Sequence, residues 1–156
     1  MTIDSFNVLF LCTGNSARSI LAEATLNHLS DGGFAAYSAG SDPKGSPNPL
    51  ALELLAREGI STAGARSKSW DEFMAPGAPR IDLVVTVCDA AAGEQCPLYP
   101  GKPLKTHWGV PDPHSAEDFR QAYQTLRGRI ERLVKLPVRE LGKAELQQQL
   151  NAIGHA

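Results

Sequence analysis

Between Phe6 and Leu29 the chain changes its hydrophobic period across a short polar link. Phe6 to Leu11 is a largely apolar run of strand length, suited to a strand buried on both faces. From Arg18 the apolar positions fall at Ile20, Leu21, Ala24, Thr25 and Leu29, the spacing of one helix face. A strand that passes directly into a helix constrains the fold strongly. The helix carries the chain back to begin another strand in the same direction, so the expected sheet is parallel.

The alternation continues downstream. Phe34 to Ser38 reads as a second strand closed by Ala39-Gly40. Pro47 and Pro49 suit the start of a helix that ends near Gly59. Ser69 to Phe73 fits a short helix, and Ile81 to Val87 is β-branched enough for a central strand. Thr106 to Trp108 suggests a fourth strand running into the turn Gly109 to Pro113. Ser115-Ala116-Glu117-Asp118 resembles a capping box ahead of a helix reaching about Leu136. Pro137 breaks that helix, and Val138 to Ile153 reads as a further amphipathic helix or a frayed tail. The expectation is an α/β chain: one domain over 1–156, with a doubly wound, four-stranded parallel sheet flanked by helices. Ligands in such sheets sit beyond the carboxyl ends of the strands. Cys12, Cys88 and Asp112 all fall at that edge.

Bulk properties narrow the function. The 156 residues carry 15 Lys and Arg against 17 Asp and Glu, with no basic run. Nucleic acid and anionic membrane surfaces are therefore not expected partners. No apolar stretch reaches spanning length and Met1 to Asp4 lacks a basic leader, so the expected compartment is the cytosol. Three cysteines are an odd number without an export signal. That favours thiol chemistry or simple burial over a disulfide framework.

The link itself carries chemistry. Amides of Thr13, Gly14, Asn15, Ser16, Ala17 and Arg18 would form a nest of donors at the start of a helix, suited to a tetrahedral oxyanion. Gly14 would permit the tight turn, and Asn15 suits a left-handed position with an amide that ties the loop together. Arg18 offers a planar fork for two anion oxygens. Ser19 stands where it could donate to the sulfur of Cys12, and the positive surroundings favour a thiolate there. The plain alternative is a buried cysteine at a strand end. For the pair Cys88 and Cys96, zinc ligation fits poorly because the spacing is too wide. Neither a metal nor an organic cofactor is expected.

Cys12-Thr13-Gly14-Asn15-Ser16-Ala17-Arg18-Ser19 after Val8-Leu9-Phe10-Leu11 resembles the phosphate loop of the low-molecular-weight tyrosine phosphatase fold. Within that fold the chain is more similar to the arsenate reductases. Ser38-Ala39-Gly40, Val85-Thr86-Val87-Cys88-Asp89 and His107-Trp108-Gly109-Val110-Pro111-Asp112-Pro113 match as well. The resemblance implies that arsenate binds the loop, that Cys12 attacks arsenic and that Asp112 protonates the departing oxygen. It further implies a Cys12–Cys88 disulfide, then exchange to Cys88–Cys96. The electron donor implied is thioredoxin, or else glutathione with glutaredoxin. A helical 89–95 segment would hold the Cys88 and Cys96 Cα atoms roughly 12 Å apart. A disulfide needs about 7 Å or less, so the segment would have to unwind. The other function the loop allows is phosphomonoester hydrolysis with Cys12, Arg18 and Asp112, as in a protein tyrosine phosphatase.

The resemblance also has departures. Some reductases of this type hold a potassium ion with an asparagine, a glutamate and a Thr-x-Asp segment. Asn15 and Glu23 are counterparts, but Ser67-Lys68-Ser69 supplies a positive charge where a carboxylate is needed. Lys68 would then substitute electrostatically. The Cys88 to Cys96 spacing is one residue longer than in the best-known members. His114-Ser115 after Asp112-Pro113 lacks the aromatic grip of the phosphatases. His107 and Trp108 read as packing and hydrogen-bonding residues, and His28 and His114 as exposed.

Overall fold

A computed structural model of the chain describes residues 5–30, 33–89, 93, 99–100 and 102–155. Four strands, β1 (Phe6–Leu11), β2 (Phe34–Ala39), β3 (Leu83–Thr86) and β4 (Leu104–His107), form one sheet in the order β2-β1-β3-β4. All three pairings are parallel. The helices are α1 (Arg18–Leu29), α2 (Pro49–Arg57), α3 (Ala116–Val134) and α4 (Lys143–Gly154), with a 3-10 turn at Trp70–Met74.

The two-residue period of the strands sorts the core. Val8 and Phe10 of β1 join Leu83 and Val85 of β3 on one face, against Ile20, Leu21 and Leu26 of α1 and Phe119, Leu126 and Ile130 of α3. Leu9, Leu11 and Val84 point the other way, where Phe73, Ile81 and Tyr99 cover them. β1 is thus buried on both sides, as its apolar run requires. Trp108, fully buried, closes the β4 edge by donating from Nε1 to the Leu150 carbonyl of α4 at 2.9 Å.

Local chemistry sets the element ends. Asn48 caps α2 by accepting from the Leu50 amide, with Pro49 in its first turn. Ser115 caps α3 by accepting from the Asp118 amide, while the Asp118 carboxylate accepts from the His114 amide. The expected capping box therefore reaches one residue further back. The last helix starts at Lys143 rather than Val138, because Pro137 accepts turn bonds from Glu140 and Leu141 before Gly142 opens the helix. The short helix expected at Ser69 to Phe73 is the 3-10 turn, capped by Ser69.

The sheet order places a topological switch between β1 and β3, since the chain leaves β1 for one side and returns to the other. Cys12 follows β1 and Cys88 follows β3, so both flank that switch. Cys96 and most of the 89–95 segment lie outside the described residues. Of that segment, Asp89 opens a helical turn, its carbonyl accepting from Gly93 at 3.2 Å.

Candidate active site

Cys12 continues the β1 ladder by one step, its amide donating to the Ala39 carbonyl at 3.3 Å. The chain then turns. The carbonyls of Thr13, Gly14 and Ser16 accept from the amides of Asp42, Lys44 and Asn48 at 2.9, 2.9 and 2.7 Å. In a trans peptide the following N–H points opposite to the carbonyl, and no peptide among the described residues is cis. The Gly14, Asn15 and Ala17 amides therefore face away from the 42–48 segment. α1, like α4, has no side-chain cap, which leaves its first-turn amides able to meet an anion.

Asn15 is the hinge of the loop. Its φ of 45° is left-handed, a conformation asparagine tolerates, and it is fully buried. Its Nδ2 donates to Ser19 Oγ at 2.8 Å, and its Oδ1 accepts from the Lys68 amide at 2.8 Å. Ser19 Oγ lies 2.9 Å from Cys12 Sγ. Because Ser19 already accepts from Asn15, its hydroxyl proton is available to the sulfur, an arrangement that suits a thiolate. Gly14 plays another part than expected. It has no left-handed φ; a Cβ there would meet the Lys44 stem at 3.1 Å, so it makes room for that side chain.

Beneath the loop lies a charged layer. Glu23 on α1 accepts from Ser38 Oγ at 2.8 Å. Lys68, which is buried, donates from Nζ to the Arg66 carbonyl at 3.0 Å and to Ser38 Oγ at 3.4 Å. Burial raises the Glu23 pKa above its ordinary value, and the Lys68 charge opposes that rise. Burial lowers the Lys68 pKa, and Glu23 opposes it in turn. The residues do not suit a potassium ion, because an ammonium already faces Glu23.

Arg18 reaches across to the loop after β4. Its Nη1 donates to the Val110 carbonyl at 2.9 Å, and Nη2 lies 3.5 Å from Asp112 Oδ1. Asp112, flanked by two prolines, is largely exposed, with His114 Nε2 at 3.7 Å from its other oxygen. Cys88 is buried, and its Sγ is 3.9 Å from Thr13 Oγ1, in contact with the loop. Neither Cys12 nor Cys88 is in a disulfide.

The sequence pattern described as low molecular weight phosphotyrosine protein phosphatase matches residues 7–150. The chain belongs to the low molecular weight phosphotyrosine protein phosphatase family. Among curated relatives, an arsenate reductase of Shouchella clausii is 35% identical over 132 residues, 82% of this chain and 91% of that protein. Among solved structures, a thioredoxin-dependent arsenate reductase of Corynebacterium glutamicum superposes with a TM-score of 0.67 at 28% identity. That match covers 86% of this chain but 63% of the Corynebacterium chain, so this chain spans less than two thirds of its length. A low molecular weight protein tyrosine phosphatase of T. tengcongensis superposes with a TM-score of 0.70 at 30% identity, covering 84% and 99%. Phosphatase and reductase backbones fit this chain about equally, so side chains must separate the two chemistries.

Within this phosphatase family fold, Cys12, Arg18, Cys88 and Asp112 converge at one sheet edge, as expected from the sequence. Cys96 lies outside the described residues. His107 and Trp108 bond and pack as expected, and His28 and His114 are exposed. Gly40 was missed as a site residue. A Cβ on it would come within 2.4 Å of the Thr13 carbonyl and 2.8 Å of that of Cys12. Ala39-Gly40 at a strand end was the available signal, but the close approach comes from pairing between β1 and β2. The sequence offers Lys68 as an electrostatic substitute but carries no signal for its amide's grip on Asn15.

Proposed function

We propose that this chain reduces arsenate to arsenite through three thiols, with Cys12 as nucleophile and Cys88 and Cys96 as the relay. The observation that carries the reading is the position of Cys88: a second sulfur against the oxyanion loop, which ester hydrolysis does not need. The amides at Thr13 to Arg18 and the Arg18 guanidinium bind the oxyanion. Cys12 thiolate attacks arsenic; a sulfur–arsenic bond forms, an arsenic–oxygen bond breaks, and Asp112 protonates the oxygen, which leaves as water. Cys88 thiolate then attacks Cys12 Sγ. The sulfur–arsenic bond breaks with its electron pair going to arsenic, which departs as arsenite. Cys96 thiolate attacks Cys88 Sγ and releases Cys12 as thiolate. A dithiol donor reduces the Cys88–Cys96 bond and is itself oxidised to a disulfide.

The relatives support this reading by name, and the Corynebacterium reductase favours thioredoxin as the donor over glutathione with glutaredoxin. Such a relay belongs in a reducing compartment, the cytosol. No described helix is long and apolar enough to cross a membrane. A second reading, phosphomonoester hydrolysis by Cys12, Arg18 and Asp112, is favoured by the T. tengcongensis match. Mass spectrometry after one turnover with arsenate and no reductant separates them. The relay predicts arsenite in stoichiometric yield and a Cys88–Cys96 linkage. Full multiple-turnover reduction by Cys88→Ser would overturn it.

A further inference from the structure

We propose that His107, acting with Asp89, is a positioning residue that holds Cys88 in place for its attack on Cys12. The role rests on the relay reading above. One imidazole ties the chain on both sides of Cys88. Thr86, two residues before the cysteine, places Oγ1 at 2.7 Å from Nδ1. Asp89, the residue after it, places Oδ1 at 2.8 Å from Nε2. A carboxylate only accepts, so Nε2 carries the proton in the neutral ring, and Nδ1 accepts from the Thr86 hydroxyl. The three groups form one directed chain of hydrogen bonds around residues 86–89.

Gly109 shows how closely this bracket is built. A Cβ there would lie 2.7 Å from His107 Nε2 and 2.9 Å from Asp89 Oδ1. The backbone at 109 therefore lies against the bond itself, and a side chain would displace it. On the strand side of Cys88 the chain is already fixed, since the Val87 amide donates to Leu11 and its carbonyl accepts from Val110. On the far side Asp89 begins the next turn. Holding Asp89 thus fixes the direction in which the chain leaves Cys88.

The strength of the bracket matches its task. His107 is 40% exposed and Asp89 96% exposed, so water competes for their bond. Exposed pairs of this kind are worth little. Cys88 must first face Cys12 and then turn toward a third thiol. A weak, wet contact aligns it for the first step and gives way at the second, whereas a buried ion pair would resist release.

The test compares Asp89→Ala and Asp89→Asn with the wild-type protein; His107→Ala is a second disruption. Asp89 is exposed, so these changes at residue 89 leave folding intact. Three quantities are read: hydrolysis of p-nitrophenyl phosphate, alkylation of Cys12 and Cys88 by iodoacetamide resolved by mass spectrometry, and arsenate reduction with thioredoxin. Asp89→Ala is expected to speed Cys88 alkylation and to lower the reduction kcat, each by about two- to fivefold, the range an exposed pair supplies. KM for arsenate, Cys12 alkylation and phosphoester hydrolysis stay at wild-type values. Asp89→Asn, whose amide oxygen still accepts from Nε2, restores both. Unchanged Cys88 alkylation in Asp89→Ala and His107→Ala would overturn the proposal. So would an equal loss of phosphoester hydrolysis, which marks a merely structural role. If the wild-type protein reduces no arsenate, the relay reading fails, while the alkylation ratio still decides the bracket.

Discussion

At the end of β1, Cys12 sits in a loop fixed from beneath by fully buried Asn15, Ser19 and Ser38 and by buried Lys68. At the end of β3, an equally buried Cys88 leads at once to an exposed Asp89, tied by one exposed histidine. The two sulfurs lie at one edge of one sheet, yet one surrounding is rigid and the other releasable. The difference follows from what each step of the proposed relay requires. Binding and attack need donors already aimed at the oxyanion, because reorganising them would cost the stabilisation they supply. Disulfide exchange needs a sulfur that meets two partners in turn.

The most severe way to break this comparison is Cys88→Ser. Multiple-turnover arsenate reduction should fall to the uncatalysed background, because the arsenic adduct on Cys12 has no thiol to resolve it. Phosphoester hydrolysis should persist, since Cys12, Arg18 and Asp112 are untouched. A coupled thioredoxin assay beside a p-nitrophenyl phosphate assay checks both. Parallel loss of the two activities would mean that Cys88 serves the loop rather than the relay.

Gly40→Ala attacks the rigid side. Its Cβ would meet two loop carbonyls well inside contact distance, and both belong to backbone that cannot swing aside. Overpacking of this kind costs about 1–3 kcal/mol, or roughly 3–10 °C of melting temperature for a chain of this length. Both activities should fall together, because the loop serves both, and thermal unfolding with parallel rate measurements checks it. A normal melting temperature with full activity would show the loop to be more compliant than its hydrogen bonds imply.

What the residues disclosed in advance divides along similar lines. β1, α1 and the loop between them were legible because their signals are local: an apolar run, a helical period and a polar link ending in Arg18 and Ser19. Asn15 in a left-handed turn was legible for the same reason. Gly14 was misread, since glycine suggests a special φ while its actual part is to leave space for Lys44. Gly40 and Lys68 depend on contacts between segments far apart in sequence. The resemblance sets Lys68 near Asn15 and Glu23 as a charge, but only the folded chain shows it buried there with its amide on Asn15. The Thr86–His107–Asp89 chain has the same origin, as register between β3 and β4 brings those residues together.

Lys68→Met gives the smallest of the three effects and bears on the layer under the loop. In the wild-type protein, burial is the largest influence on Glu23 and raises its pKa from 4.5, with the Lys68 charge pulling it back. Methionine leaves burial with less opposition, so the Glu23 pKa rises further. A carboxyl raised in the folded state contributes stability that is fully present below its unfolded pKa. That contribution is lost as pH climbs through the folded value. Lys68 acts in the same sense: its folded pKa is lowered, so the wild-type protein gains stability as pH rises through that value and the variant does not. Both proteins lose the Glu23 contribution alike from the unfolded value upward, and the variant falls behind only as pH rises beyond the raised Glu23 value of the wild type. By pH 8 the deficit should approach about 1 kcal/mol, well below the range for a fully buried pair because Glu23 is only partly enclosed. Denaturant unfolding at a series of pH values checks this. Curves that run parallel would mean that Glu23 finds its compensation elsewhere. The loop should suffer less than in Gly40→Ala, because Asn15 is held by the backbone amide of residue 68, which methionine keeps.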